Sequence, residues 1–252
     1  MSRVVVITGG TSGFGLATIK VFLREEKGNV QIVSLSRSTE KQEKAKKELG
    51  EDSKYVEFLQ ADISNVDELT KVAKHIEEKY GKVDVLINNA GTIIPGGLES
   101  LSEEDWDWVI KNNLSSYFYT TKAFVPLLKK AENSNIVNLS STSSKMGGSS
   151  IAYSVSKAGV VMLTKASAKE LAKYKIRVNA VSAGVANTGF HVNNGVMNEE
   201  EYSQLLERTS KNYPLGIGES MDVAEVIYFL STDKAKWMTG SDVWADGGRS
   251  IN

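Results

Sequence analysis

Tyr153 and Lys157 stand four residues apart in the run Tyr153-Ser154-Val155-Ser156-Lys157. On a helix that spacing puts both side chains on one face, one turn apart. A free phenol titrates near ~10. A neighbouring ammonium stabilises the phenolate and draws that value toward neutrality, which suits a general acid or base. Any tyrosine and lysine on a helix surface give the same pattern, so the pair needs company. Twelve residues before Tyr153 an apolar run ends in Leu139-Ser140-Ser141-Thr142, and an earlier one ends in Asn88-Asn89-Ala90-Gly91. Asn113 is a polar residue in the otherwise packed stretch Ile110 to Phe118, where an amide could open a helix to bind water. For Asn88 and Asn113 a buried structural role is the competing reading.

A second feature opens the chain. The apolar run Val4–Ile7 passes straight into Thr8-Gly9-Gly10-Thr11-Ser12-Gly13-Phe14-Gly15, and a helical pattern follows. Gly9, Gly13 and Gly15 give GxxxGxG rather than the usual GxGxxG spacing. Glycines suit a tight strand-to-helix turn and close backbone approach to a pyrophosphate, and the helix start offers N–H groups to it. No Gly-Lys-Ser/Thr ending follows, so this is no nucleotide-triphosphate loop. After the second apolar run come Ser36-Arg37-Ser38, where an NAD enzyme usually offers an acidic residue to the ribose. Arg37 could hold a 2′-phosphate with Ser36 and Ser38 donating hydrogen bonds, which favours NADP(H) over NAD(H). Against it, Arg37 could be a plain surface residue, and the glycine loop holds no basic residue.

The elements that must position these residues alternate. Val4–Ile7, Val30–Leu35, Tyr55–Leu59, Val83–Ile87, Ile136–Leu139, Arg177–Val181 and Val243–Ala245 read as strands. Leu16–Glu26, Glu40–Leu49 (ended by Gly50), Val66–Tyr80, a long Asp105–Lys130 and Ala158–Tyr174 read as helices. Largely apolar strands separated by helices predict a parallel sheet covered on both faces. With three prolines and no linker or repeat, one doubly wound α/β domain is expected.

Composition bounds the rest. The chain has 252 residues, no cysteine and two histidines, His75 and His191. Disulfides, thiolate catalysis and Cys-ligated zinc are excluded, and a histidine-based metal site is not expected. A net charge of −1 carries no signature of nucleic acid or anionic membrane. No secretory pattern opens the sequence and no apolar stretch reaches membrane-spanning length, so a cytoplasmic, non-membrane protein is expected.

Taken in order, Thr8-Gly-x-x-x-Gly-x-Gly15, Asp62-Ile63, Asn88-Asn-Ala-Gly91, Asn113-Leu114, Ser141, Tyr153-x-x-x-Lys157, Arg177-Val-Asn179, Gly184-x-x-x-Thr188 and Asp246-Gly-Gly248 resemble the short-chain dehydrogenase/reductase family across essentially the whole chain. The resemblance implies a single Rossmann-type domain, residues 1–252, with about seven parallel strands. It implies hydride transfer between a nicotinamide cofactor and a carbonyl or secondary alcohol, with Asn113, Ser141, Tyr153 and Lys157 as a tetrad. Tyr153 would donate a proton to the substrate oxygen and Ser141 would hydrogen-bond it. Lys157 would lower the tyrosine's pKa and hold the nicotinamide ribose, and Asn113 would anchor a relay water. Gly9, Thr11, Ser12, Gly13, Phe14 and Gly15 would cradle the pyrophosphate. Asp62 and Ile63 would flank the adenine, and Asn89, Ala90 and Gly91 the adenosine ribose side. Gly184, Val185 and Thr188 would meet the carboxamide.

Departures from the pattern leave alternatives open. Ala183 replaces the usual proline before Gly184, which would leave that loop less stiff. A Ser141 to Tyr153 spacing of twelve, where thirteen is common, keeps Ser140 as a rival, although relatives with this strand end use the second serine. Ser12 stands where NADP-binding relatives often place a basic side chain. A non-catalytic cofactor-binding regulator is the alternative function, but it would have no use for the acid–base pair. An epimerase or dehydratase would run longer.

Residues 187–213 resemble the family's variable substrate-covering loop, with Phe190, His191, Asn193, Asn194, Val196, Met197 and Tyr202. Met146, Ile94 and Phe190 would make a mildly apolar pocket near Tyr153 for a small-molecule carbonyl or alcohol. The helices beginning at Asp105 and Ala158 build dimers and tetramers in relatives, so a homo-oligomer is implied. Trp237, Trp244 and Gly247–Asn252 would extend that interface.

Overall fold

The inner strands of the sheet bury nearly every residue, as two covered faces require. In β1 (Arg3–Thr8) Val5 and Ile7 point to one side and Val6 to the other, the two-residue period of a strand, yet all three are buried. β2 (Val30–Ser36), β3 (Val56–Gln60), β4 (Val85–Asn88), β5 (Asn135–Ser141), β6 (Arg177–Ala183) and β9 (Asp242–Ala245) complete a seven-stranded sheet in the order β3-β2-β1-β4-β5-β6-β9. All six pairings are parallel. The computed structural model describes residues 2–26, 28–148 and 150–251.

One face of the sheet packs on α1 (Gly13–Glu26), α2 (Thr39–Leu49) and α10 (Ser220–Ser231), through residues such as Ile19, Phe22, Ala45, Ile227 and Leu230. The other packs on α3 (Val66–Tyr80), α5 (Ser116–Leu128) and α7 (Ile151–Leu171), through Leu69, Ile76, Phe124, Leu128 and Leu171. The chain winds outward from β1 to β3, then returns to β4 and winds the other way. That reversal opens a crevice beyond the carboxyl ends of β1 and β4, where such sheets bind ligands.

Two helices differ from expectation at the site. The predicted Asp105–Lys130 helix is divided: α4 (Glu103–Ile110) and α5 are joined by a π-helical turn over Lys111–Ser115, with Asn113 in it. Single π turns of this kind are frequent at functional sites. The helix predicted from Ala158 begins at Ile151, because Ser150 caps it, its Oγ accepting from Tyr153 N at 3.2 Å. Tyr153 and Lys157 therefore lie on the first two turns of α7. The 187–213 segment is not a plain excursion. The two-residue strand β7 (Ala186–Asn187) pairs with β8 (Gly218–Glu219), and α8 (Phe190–Asn193) and α9 (Glu199–Ser210) lie between them. A short α6 (Ser143–Met146) follows β5. Among the described residues no helix is long and apolar enough to cross a membrane, and no cluster of three ligand-type side chains could hold a metal.

Candidate active site

A cavity of about 590 Å³ follows the carboxyl edge of the sheet. It is lined by Gly9, Thr11, Ser12, Gly13 and Phe14, by Ser36, Arg37 and Ser38, and by Asp62, Ile63, Asn89, Ala90 and Gly91. Ser141, Tyr153, Lys157, Gly184, Val185 and Thr188 line it as well. Of the site residues read from the sequence, Gly15 and Asn113 stand behind the wall.

Gly15 is there for packing. A Cβ would collide with the Gly9 carbonyl oxygen and come within 2.6 Å of Asn89 Nδ2. Asn89 ties the crevice together, its Nδ2 donating to Thr8 O at 2.9 Å and Gly9 O at 3.1 Å. Buried Thr8 Oγ1 in turn accepts from the backbone N–H of Asn89 and Ala90. Gly9 and Gly13 both have positive φ, 71° and 50°, a backbone that residues with a Cβ rarely adopt. Asn88 belongs to the core instead, its amide donating to Asn138 Oδ1 and Thr121 Oγ1.

At the β2 end, Arg37 is exposed and its guanidinium makes one loose contact, 3.5 Å to Asn112 Oδ1. Ser38 is committed as the cap of α2, accepting from Lys41 N, and Ser36 Oγ accepts from Gln42 Nε2 at 3.0 Å. A basic residue absent from the glycine loop is supplied by α2. Lys41, four residues after Arg37 and in the first turn of α2, lines the same cavity. Asp62 Oδ1 is held by Ser64 N.

The reacting end lies over β5 and β6. Ser140 Oγ is buried and donates to Lys157 O at 3.0 Å, so it is spent on α7. Ser141 Oγ accepts from Ser143 N and faces the same cavity as the Tyr153 hydroxyl, whose phenol it holds below where burial alone would put it. Lys157 Nζ is buried, donates to Leu139 O at 2.9 Å and sits 5.2 Å from the Tyr117 ring centre and 5.7 Å from that of Tyr153. Burial pushes the Tyr153 phenol up to about 12, partly offset by Ser141. Burial pulls the Lys157 ammonium down to about 7. The expected pull of Lys157 on the phenol is thus not what sets the tyrosine here: desolvation outweighs it, and the ammonium is turned to the Leu139 carbonyl. Asn113 is wholly buried, with Oδ1 accepting from Thr92 N and Nδ2 donating to Thr92 O and Ser156 Oγ.

Gly184 is pinned despite Ala183. Its N–H donates to Ala245 O, and Val185 N donates to Tyr213 Oη at 2.9 Å. Phe190, with its ring centre 6.1 Å from that of Tyr153, and Met146 line the cavity as expected. Ile93 does so in place of Ile94, whose carbonyl accepts from Ser150 Oγ. The 187–213 segment touches the cleft at two places. Asn194 Oδ1 accepts from Thr92 Oγ1 at 2.9 Å, and Asn193 O accepts from Lys41 Nζ at 3.5 Å.

A glycine turn at the end of β1, a polar and basic group at the end of the neighbouring β2, and the Ser141 and Tyr153 hydroxyls on the other side at β5, three strand spacings (about 14 Å) from the basic group, fit an extended dinucleotide. Residues 3–199 match the short chain dehydrogenase family. The chain is 36% identical over 251 residues to the 3-oxoacyl-(acyl-carrier-protein) reductase FabG of Thermotoga maritima, covering 99% of this chain and 98% of that one. It is 34% identical to the same-named enzyme of Staphylococcus aureus, with 98% of both covered. A short chain dehydrogenase structure from Bacillus anthracis superposes with a TM-score of 0.86 at 32% identity, covering 99% and 97%. The ligand-free aldohexose dehydrogenase of Thermoplasma acidophilum does so with 0.85 at 28%, covering 100% and 95%. The chain belongs to the short-chain dehydrogenase family, and is an oxidoreductase of CH–OH groups using NAD(P).

Proposed function

We propose that this enzyme interconverts a carbonyl and a secondary alcohol through Ser141, Tyr153, Lys157 and Asn113, with NADP(H) preferred. The observation that carries the reading is the Ser141–Tyr153 hydroxyl pair, in one cavity with the glycine loop. The nicotinamide, when bound, supplies or accepts the hydride. Tyr153, with its phenol near 12, keeps its proton at neutral pH and can give it to a carbonyl oxygen. Ser141 orients that oxygen from the other side. Lys157 serves the nicotinamide ribose, and Asn113 holds the π turn against Thr92 so that a relay water has a fixed place. Phe14 and Thr11 stand at the α1 start with Ser12 and Gly13 to receive the pyrophosphate.

The preference for NADP(H) rests on Arg37 and Lys41 together with the absence of an acidic side chain at the end of β2. The reductase names of the relatives favour a 3-oxoacyl group as substrate, with residues 187–213 as its cover. A homo-oligomer built on the outer faces of α5 and α7 follows from the exposure of Phe118 and Met162 there. Trp237, 97% exposed, would extend an interface, whereas Trp244 Nε1 is tied to Asp242 and Asn252 lies outside the described residues.

Following NADPH and NADH absorbance in parallel on a panel of carbonyl substrates tests the reading. Tyr153→Phe should lower kcat by about a hundredfold or more while cofactor affinity stays within a few fold. Arg37→Ala should raise KM for NADPH about tenfold more than for NADH. Full activity in the first variant overturns the mechanism, and equal effects in the second overturn the coenzyme preference.

A further inference from the structure

The sheet order gives the cleft a direction. The adenosine end lies over β2 and β3, Tyr153 over β5 and β6, and the chain leaves the last strand, β9, on the far side of Tyr153. There the turn Asp246-Gly247-Gly248, with Gly247 packed near the Tyr213 ring, leads to Arg249, which lines the cavity as do Tyr213, Asn212 and the α9 residues Leu205 and Thr209. This guanidinium is therefore on the opposite side of the reacting centre from the dinucleotide.

Arg249 is half-buried, and among the described residues its side chain has no ion pair or hydrogen bond. A carboxylate three residues away does not serve it. Asp246 Oδ1 accepts from Gly248 N at 3.1 Å and Oδ2 from Ser250 N at 2.8 Å, so both oxygens are held by backbone N–H groups. The charge of Arg249 acts on the Tyr213 hydroxyl, where that of Asp246 opposes it. A partly desolvated, permanently charged fork without a partner is a poor structural device, because the lost hydration is not repaid within the protein. It is a good receptor for a planar or tetrahedral oxyanion, which it can grip with two parallel N–H donors.

We propose that Arg249 forms an oxyanion subsite of the substrate pocket, so that the preferred carbonyl substrate carries an anionic oxygen group on the side away from the nicotinamide. This rests on the carbonyl-reducing reading above and names the substrate's second recognition element. Two sources share the chemistry: the carboxylate of a free oxo acid, and the phosphate of a pantetheine-type thioester arm. In either case Arg249 sets substrate orientation, which fixes the face of the carbonyl that Tyr153 and Ser141 meet.

The test compares matched substrates within each protein. One pair is a short 3-oxo acid and its methyl ester. The other is a 3-oxoacyl phosphopantetheine thioester and the corresponding N-acetylcysteamine thioester, which has no phosphate. The wild type should favour the anionic member of one pair in kcat/KM, and Arg249→Gln should shrink that ratio by about tenfold to a hundredfold. Arg249→Lys should restore part of it, since it keeps the charge and loses the fork. The pair that responds identifies the source. Calorimetric titration of the enzyme–NADPH complex with the 3-hydroxy acid and its ester, a pairing in which no hydride can pass, gives a readout independent of turnover, and the same preference should appear there. Neutral and anionic members handled alike by the wild type in both pairs, or a ratio unmoved by Arg249→Gln, overturns the subsite. Reduction of the neutral esters would still stand in that event. Loss of all carbonyl reduction would instead strike the underlying reading, with the titration left to decide the subsite.

Discussion

Lys157 is the residue whose environment does most to set its chemistry. Its side chain is 2% exposed, between two tyrosine rings, with the Leu139 carbonyl as its one hydrogen-bond acceptor among the described residues. The unfolded chain binds this proton up to the ordinary ~10.5, whereas the folded protein releases it near 7. Between those values the unfolded state holds more protons, so stability rises with pH through that window, and below it the full cost of the buried charge is present. Lys157→Met should therefore raise Tm more at about pH 6 than at about pH 9. Thermal melts of both proteins at the two pH values check this, and an equal shift at both would show that the ammonium is not desolvated as described.

At the scale of elements, the start of α7 is the part that local chemistry controls. Ser150 Oγ accepts from Tyr153 N and donates to Ile94 O at 2.6 Å, so one hydroxyl both caps the helix and ties it to the loop after β4. Removing an N-cap of this type costs about 1 kcal/mol. Ser150→Ala should lower Tm by about 2–4 °C, and it should lower kcat while leaving the dissociation constant of NADPH nearly unchanged, because the loosened turn carries Tyr153. Ser150→Thr, which keeps the oxygen, should recover both. A Tm loss with kcat intact would confine Ser150 to stability. The π turn at Lys111–Ser115 is the other control point, since it lets Asn113 meet both backbone groups of Thr92 across the cleft floor.

For the whole molecule, the outer faces of α5 and α7 are the part of the surface least suited to water. Val155 and Met162, seven residues apart on α7, share one face and are 44% and 63% exposed, and Phe118 on α5 is 49% exposed. Apolar groups concentrated on adjacent helices in this way mark an interaction surface. Light scattering should find an assembly larger than one chain, and Met162→Lys should move it toward the single-chain mass by placing a charge in the contact. A wild-type protein that scatters as one chain would remove that surface from consideration.

Much of this molecule is legible in its residues. The apolar runs marked the strands because a covered parallel sheet needs both faces apolar, and the helix read over Val66–Tyr80 has those bounds in the structure, with Asn65 as its cap and Gly81 after its last turn. The glycine turn was readable because positive φ and close packing leave few other residues. The sequence also placed Tyr153 and Lys157 one turn apart. Tertiary structure alone decided what surrounds them. Ser140 and Ser141 are neighbours of one type, and only the strand's alternation sends the first to the Lys157 carbonyl and the second to Tyr153. Burial, which no spacing encodes, set the phenol high and the ammonium low. Lys41 and Arg249 entered the cleft from elements distant in the chain, because the crossover topology gathers every strand's carboxyl end on one edge.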